Sequence, residues 1–297
     1  MKEGRPSATA ERVAQRRAAH QLLDRPAVFE DPLALRILGP QAAAALEADP
    51  LRLESGRISP YLRAFLAARS RFAEDRLAGA VEAGARQYVV LGAGLDTFAY
   101  RNLHAAAGLH VFEVDHPSTQ AWKRTRLEEA GIAVPASLTF VALDFETRTL
   151  AAALQEAGFR AETRAFVSWL GVTMYLELGA VLATLASLAA LMCAGSEVVL
   201  DYAIARSSLG ALQRAVFDAL AARVAAVGEP WRSAFTPETL AADLRALGFA
   251  ELEDLGPDEL NARYFAGRRD RLRVGSLAHL LRARVGHDSS PGPAAAG

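Results

Sequence analysis

The sequence predicts an α/β fold in which a parallel, doubly wound sheet follows a helical N-terminal cap. Short apolar runs alternate with helical segments from residue 84 onward, whereas the first eighty residues show only helical periodicity. A glycine-containing turn follows the first apolar run, at the edge where such sheets bind ligands. The length of 297 residues and the hydrophobic content of 52% provide enough apolar material for a large core.

The charge balance and the scarcity of lysine and cysteine exclude several classes of function. The 33 Lys and Arg residues nearly match the 34 Asp and Glu residues, so we expect no nucleic-acid partner and no polybasic membrane patch. Lys2 and Lys123 are the only lysines, which excludes a Gly-Lys-Ser/Thr phosphate loop. Cys193 is the single cysteine, which excludes an intramolecular disulfide and a Cys-clustered metal site.

Two segments bear on localisation. Residues 1–20 are charged throughout and lack the apolar stretch of a secretion signal. Residues 178–196 are uncharged, yet their large side chains recur at helical spacing on one face. That spacing is typical of a helix packed on a sheet rather than of a membrane span. We therefore expect a cytoplasmic protein.

Periodicity and the Gly and Pro breaks predict the individual elements. Helices are expected over 10–23, 33–38 and 61–83 near the N-terminus, and later over 118–130, 178–196 and 237–247. Strands are expected over 87–91, 109–115, 138–142, 164–169, 197–201, 249–255 and 277–284. These elements divide the chain into a cap at 1–68, a ligand-binding core at 69–286 and a tail at 287–297 that we expect to be disordered.

The carboxyl ends of the first two strands predict a nucleoside site. Gly92 and Gly94 let the backbone approach a ligand closely at the first strand–helix turn. Asp115 ends the second strand, 21 residues after Gly94, where a carboxylate can accept the hydroxyl protons of a ribose. The alternative is that the two glycines form only a tight connection, since short glycine motifs are common.

The residues beside this turn favour S-adenosyl-L-methionine over a dinucleotide. Thr97 stands where a dinucleotide fingerprint has its third glycine, and Asp96 adds negative charge where phosphates would lie. A cationic sulfonium suits that acidic, aromatic turn, and the adenine is expected near Asp144 and Phe145. An NAD(P)-dependent oxidoreductase on a similar sheet is the competing enzyme class.

Seven segments carry a resemblance to a known protein family. The longest is YVVLGAGLDTFAYR at 88–101. The others are RAAH at 17–20, FEDPLA at 29–34, RSRFAED at 69–75, FEVDHP at 112–117, GVTMYL at 171–176 and GPDELNARYF at 256–265. Together they resemble the leucine carboxyl methyltransferase family, and more closely its bacterial branch of S-adenosylmethionine-dependent O-methyltransferases. The resemblance covers the chain except its tail. It implies a class I methyltransferase, with a Rossmann-like sheet of seven strands in the order 3-2-1-4-5-7-6 and an N-terminal helical cap.

The resemblance also implies which residues bind the cofactor. Arg69 would pair with its methionine carboxylate, Asp115 would hold the ribose, and Leu170 stands where eukaryotic members have a glutamate. The glycine turn would pass beneath the methionine moiety. The complete cofactor set is Arg69, Gly92, Ala93, Gly94, Asp115, Asp144, Phe145 and Leu170.

The acceptor side is implied less fully. Arg17, His20 and Tyr175 are expected to contact the acceptor, with Tyr175 near the transferred methyl and with Tyr175 and His20 as the catalytic candidates. A structural role is the alternative for His20 and Tyr175, since a lone histidine is often structural and a tyrosine can simply pack. The same holds for Arg69 of the cofactor set, which can pair with a nearby acid.

These observations predict an O-methyltransferase that acts, without a metal ion, on a carboxylate or hydroxyl of a small molecule such as a secondary metabolite. A carboxylate is already ionised at pH 7, whereas a hydroxyl needs a base, for which His20 is the first candidate. The glutamate missing at Leu170 leaves an inactive cofactor-binding homologue as the non-enzyme alternative. Nothing in the sequence predicts an oligomeric state.

Overall fold

A seven-stranded sheet forms the centre of the molecule. The computed structural model describes residues 8–54, 59–144, 148–226 and 228–286. The strands are β1 (Gln87–Leu91), β2 (His110–Asp115), β3 (Leu138–Ala142), β4 (Ala165–Trp169), β5 (Glu197–Ala203), β6 (Phe249–Leu255) and β7 (Ala278–Val285). Their order is β3-β2-β1-β4-β5-β7-β6, and β7 runs antiparallel to both of its neighbours. The predicted fold class and strand order are therefore confirmed.

Helices cover both faces of this sheet. They are α1 (Ala8–Leu23), α2 (Pro40–Ala48), α3 (Ser59–Glu82), α4 (Pro117–Glu129), α5 (Leu150–Glu156), α6 (Leu178–Leu191), α7 (Ala211–Ala225), α8 (Pro237–Ala246) and α9 (Pro257–Tyr264). One face packs against α5, α6 and α8, and the other packs against α3 and α9. This layering places the carboxyl ends of β1, β2, β4 and β5 along one edge, where the candidate site lies.

The sheet is hydrophobic on both sides because it is covered on both sides. Every residue of β1 is buried, with Val89 facing α6 and Val90 facing α3. The uncharged helix α6 buries Val181, Leu185 and Leu188 on the sheet, as its spacing predicts. No described helix is long and apolar enough to cross a membrane.

The cap packs around its own small apolar cluster and then merges with the core. Ile37 and Leu46 of the cap contact a cluster that also contains Leu95 and Leu127. The long helix α3 continues without interruption across the predicted boundary between residues 68 and 69. One rigid helix therefore belongs to both the cap and the core. The predicted disordered tail at 287–297 lies outside the described residues.

Some elements differ from the predictions. The expected helix at 33–38 is a single 3-10 turn at Arg36–Leu38, and α2, α5, α7 and α9 are additional helices. Helix α7 buries none of its side chains fully, although apolar residues recur along it at helical spacing, at Leu212, Val216, Phe217, Leu220 and Val224.

Candidate cofactor and acceptor site

The glycine turn after β1 is closely packed from two directions. Gly92 has a φ of +72°, and a Cβ there would lie 2.4 Å from Cγ2 of Val172. Gly94 has a φ of +47°, and its Cβ would lie 3.3 Å from the Cβ of Ala10 in α1. Ala93 between them is buried. The turn therefore requires glycine at position 92 for both backbone conformation and space, and the cap helix lies directly over it.

The Asp115 carboxylate is fixed at the end of β2 by two backbone amides. The N–H of Gly94 donates to Oδ2 over 2.6 Å, and the N–H of His116 donates to Oδ1 over 2.7 Å. Burial raises the pKa of Asp115, and these two hydrogen bonds oppose the rise. Each carboxylate oxygen has a second lone pair, so the group is able to accept two further hydrogen bonds, as a ribose diol requires.

Arg69 extends from α3 to the ends of β4 and β5. Its Nη1 donates to Oδ2 of Asp201 over 2.8 Å, and Oδ1 of Asp201 accepts the N–H of Gly171 over 2.5 Å. Gly171 has a φ of +74°, and a Cβ there would lie 2.7 Å from Nη2 of Arg69. The guanidinium is thus held against the backbone. Because a guanidinium has five N–H donors, the hydrogen bond to Asp201 leaves other donors of Arg69 available to a ligand.

Arg17 connects the cap to the glycine turn. Its Nη2 donates to the carbonyl of Leu95 over 2.6 Å, and its Nε lies 2.8 Å from Oδ2 of Asp31. The same Asp31 oxygen accepts the hydroxyl of Thr97 over 2.7 Å. Arg17 and Asp31 are both buried. The predicted acceptor residue Arg17 therefore lies beside the turn, where it holds α1 in place.

His20 is enclosed within the cap, and both of its ring nitrogens are engaged. Nδ1 lies 2.6 Å from Oδ2 of Asp24, while Nε2 accepts the backbone N–H groups of Val28 and Phe29 over 3.0 and 3.2 Å. The side chain is 1% exposed. This arrangement supports a structural role for His20 instead of the predicted role as a base, because no ring nitrogen is left to accept a proton.

Tyr175 lies at the end of a 3-10 turn, Thr173–Tyr175, that follows β4. Its hydroxyl lies beside the side chains of Trp231 and Thr9, and Arg69 is close enough to influence its pKa. Burial raises that pKa, so the hydroxyl is protonated and able to donate at neutral pH. The indole N–H of Trp231 is itself buried without a well-formed hydrogen bond among the described residues. The structure therefore brings Tyr175 and Arg69 together.

The remaining predicted residues lie around this centre. Leu170 packs against the core on the α3 side of the sheet, so an apolar contact replaces the family glutamate there. Asp144 follows β3, and its carbonyl accepts the N–H of Arg148 over 3.1 Å. Phe145 lies outside the described residues.

Sequence reasoning missed three residues that shape the site. Asp201 is the partner of Arg69, and Asp31 is the acceptor shared by Arg17 and Thr97. Trp231 lies beside the Tyr175 hydroxyl. A signal existed for Asp201, since it is an acidic residue directly after the apolar run at 198–200, whereas Trp231 follows an unpredicted helix.

The sequence profile of the leucine carboxyl methyltransferase family matches residues 10–189, which is more than half of the chain. The chain belongs to this family. A Bacillus subtilis protein named "Putative S-adenosyl-L-methionine-dependent methyltransferase YktD" is 31% identical over 95% of this chain and 99% of its own length. A Mycolicibacterium smegmatis protein with a similar name is 34% identical over 76% of this chain and 74% of its own length.

Solved structures share the fold of this leucine carboxyl methyltransferase family member. The crystal structure of a "putative methyltransferase" from Thermobifida fusca has a TM-score of 0.57 at 17% identity, and the match covers 96% of this chain and 97% of that one. A DUF574 family protein from Streptomyces avermitilis has a TM-score of 0.56 at 17% identity, and the match covers 92% of this chain and 97% of that one. The predicted family, the methyltransferase fold and S-adenosyl-L-methionine as the cofactor are confirmed.

Proposed function

We propose that this methyltransferase is an O-methyltransferase whose acceptor is a carboxylate of a small molecule. The surroundings of the two catalytic candidates, His20 and Tyr175, support a carboxylate acceptor over a hydroxyl. His20 has both ring nitrogens engaged, and the raised pKa of Tyr175 keeps its hydroxyl protonated. Neither side chain therefore has a free group to take a proton from the acceptor, and an ionised carboxylate needs no base.

The donors near the site suit an anionic acceptor. The Tyr175 hydroxyl, the buried Trp231 indole N–H and the Arg69 guanidinium lie in one region, at the ends of β4 and β5. Hydrogen-bond donors and a cation stabilise a carboxylate in a fixed orientation. Such positioning contributes on the order of 7–11 kcal/mol to a reaction that needs two groups in line.

The cofactor fits the residues present. S-adenosyl-L-methionine supplies an activated methyl group on a sulfonium. Asp115 would hold its ribose, because both carboxylate oxygens are fixed by backbone amides and retain acceptor capacity. Arg69 would bind its carboxylate with the N–H groups that Asp201 does not use. The cap helix α1, which lies over Gly94, would exclude water from the site.

Two readings compete with this proposal. A hydroxyl acceptor would require a base other than the two predicted residues. An inactive cofactor-binding homologue would need only the cofactor residues, and Leu170 in place of a glutamate is the observation that favours it. We also infer a cytoplasmic location, since the acceptor class proposed is a small metabolite.

A calorimetric titration followed by an acceptor screen tests the proposal. We expect micromolar binding of S-adenosylhomocysteine and none of NAD or NADP. A panel of matched acids, alcohols and phenols would then be incubated with methyl-labelled S-adenosylmethionine, and label should enter base-labile methyl esters only. Label in phenols or alcohols would refute the carboxylate assignment, and cofactor binding with no transfer to any acceptor would support the inactive homologue.

A further inference from the structure

A cavity lies on the flank of the molecule, between α3, α9 and the loop that follows α1. This flank cleft has a volume of about 500 Å³ and is lined by Pro26, Ala27, Val28, Arg71, Phe72, Asp75, Arg76, Arg263, Tyr264, Ala266 and Arg268. The volume lies within the range of roughly 300–1,000 Å³ that is usual for small-molecule sites. Four of the lining residues are arginines, whereas only one is acidic.

Ion pairs hold three of these arginines in place. Nε of Arg71 pairs with Asp75 over 2.7 Å. Arg76 and Arg263 both pair with Glu253, over 2.9 and 3.2 Å. Two guanidinium groups therefore share one carboxylate, which leaves most of their N–H donors without a carboxylate partner.

The fourth arginine closes the end of the flank cleft. Nη2 of Arg268 pairs with Asp270 over 2.5 Å, and Nη1 donates to the carbonyl of Pro26 over 2.6 Å. Its side chain is only 7% exposed. Three carboxylates, those of Asp75, Glu253 and Asp270, form the direct ion pairs of the four guanidinium groups, so these pairs leave one positive charge in excess.

Aromatic rings set the orientation of one guanidinium. The Arg263 guanidinium carbon lies 5.6 Å from the centre of the Phe72 ring and 6.0 Å from that of Tyr264. Phe72 is fully buried, so the ring under Arg263 is fixed. A guanidinium stacked in this way keeps its N–H edge in a set direction, which lowers the entropy lost when it binds an anion.

The flank cleft is separate from the cofactor site. Arg69 and Arg76 are both on α3 and are seven positions apart, which corresponds to about 10 Å along the helix. Arg69 pairs with Asp201 at the end of β5, whereas Arg76 pairs with Glu253 on the edge strand β6. A ligand of one site would not share these arginines with the other.

We propose that the flank cleft binds the phosphate or diphosphate group of a small molecule. The planar guanidinium fork matches phosphate oxygens in a bidentate manner, and a phosphate dianion offsets the excess of positive charge. Exposed ion pairs contribute little to stability, so the exposed arginines Arg71 and Arg263 are not explained by folding alone. The bounded volume favours a small molecule over a nucleic acid, as does the net charge of −1 of the whole chain.

Calorimetric titration of the full chain with inorganic pyrophosphate tests this proposal. We expect saturable binding in the unaltered protein, at least tenfold weaker binding in the variants Arg71→Gln and Arg263→Gln, and unchanged affinity for S-adenosylhomocysteine. The second substitution leaves Glu253 paired with Arg76, so its carboxylate keeps a partner. Unchanged pyrophosphate affinity in both variants would overturn the proposal, as would the absence of binding.

Two controls separate a phosphate site from general charge attraction. Arg284→Gln removes an arginine of exposure similar to that of Arg263, one that pairs with Glu251 outside the flank cleft, and it should leave pyrophosphate binding within twofold of the unaltered value. Citrate, a polycarboxylate of similar charge, should bind at least tenfold more weakly than pyrophosphate at matched ionic strength. Equal weakening by Arg284→Gln, or equal binding of citrate, would refute a phosphate-specific site.

Discussion

The Arg69 guanidinium and the Asp201 carboxylate form a buried ion pair that joins helix α3 to the end of strand β5. Nη1 of Arg69 donates to Oδ2 of Asp201 over 2.8 Å, and the two side chains are 9% and 0% exposed. Because Asp201 also accepts the N–H of Gly171, the pair fixes the loop after β4. The residue proposed to bind the cofactor carboxylate is thus already oriented by the protein.

Replacement of Arg69 by alanine should weaken the binding of S-adenosylmethionine more than the binding of decarboxylated S-adenosylmethionine. The first ligand loses a charge-assisted hydrogen-bonded pair, worth roughly 1.5–3 kcal/mol, whereas the second has no carboxylate to lose. Calorimetry on both ligands gives the ratio directly, and we expect a difference of about tenfold or more. Equal losses for the two ligands would refute the carboxylate assignment.

Asp201→Asn tests the supporting half of the same pair. The amide oxygen can still accept from Gly171, but the negative charge that balances Arg69 is gone. Loss of one partner of a buried ion pair costs roughly 3–5 kcal/mol, so urea unfolding should show a fall of about 3 kcal/mol in the free energy of unfolding. An unfolding free energy within 1 kcal/mol of the unaltered protein would show that the pair is not needed for stability.

Asp115→Ala should weaken the binding of S-adenosylhomocysteine at least tenfold, because the ribose hydroxyls lose a carboxylate acceptor. The sharper measurement compares S-adenosylhomocysteine with an analogue that lacks the 2′-hydroxyl. The unaltered protein should prefer the natural ligand, and the variant should lose most of that preference. A preference that survives the substitution would mean that another group holds the hydroxyl.

The sequence predicts the sheet better than the site, and the reason lies in how far apart the interacting residues are. Strand β1 has the predicted bounds because it is a short apolar run that a two-sided sheet buries completely. The edge strand β3 also has the predicted bounds, although it is only partly buried. The pair of Arg69 and Asp201 joins residues 132 positions apart, which no local pattern encodes. The hydrogen bonds to Nε2 of His20 likewise form only because the backbone at residues 28 and 29 folds back onto α1.

Acid should remove the contribution of Asp24 to stability. Burial alone would raise the pKa of Asp24, but hydrogen bonds from His20 and Arg63 outweigh it, and the pKa is lowered. A carboxyl with a lowered folded-state pKa stabilises the fold above its unfolded pKa near 4, and this stability is lost as the pH falls through the folded value.

The variant Asp24→Asn isolates that contribution. The difference in unfolding free energy between the unaltered protein and the variant should be constant from about pH 5 to 7 and should shrink below about pH 4. Urea unfolding at several pH values between 3 and 7 measures it. A difference that stays constant down to pH 3 would show that Asp24 is not stabilised as a carboxylate.

Tyr175→Phe distinguishes a hydrogen-bond donor from a base at the acceptor. Because burial raises the pKa of Tyr175, its hydroxyl should stay protonated at pH 7 and at pH 9. The loss of one hydrogen bond to a charged group costs roughly 1.5–3 kcal/mol, so methyl transfer to the best carboxylate of the acceptor panel should slow by at least tenfold. The slowing should be equal at both pH values, and Tyr61→Phe, on the exposed end of α3, should leave the rate unchanged. If Tyr175 acted as a base, the rate of the unaltered protein would instead rise between pH 7 and 9 and the variant would lack that rise, because only the deprotonated phenol would be active.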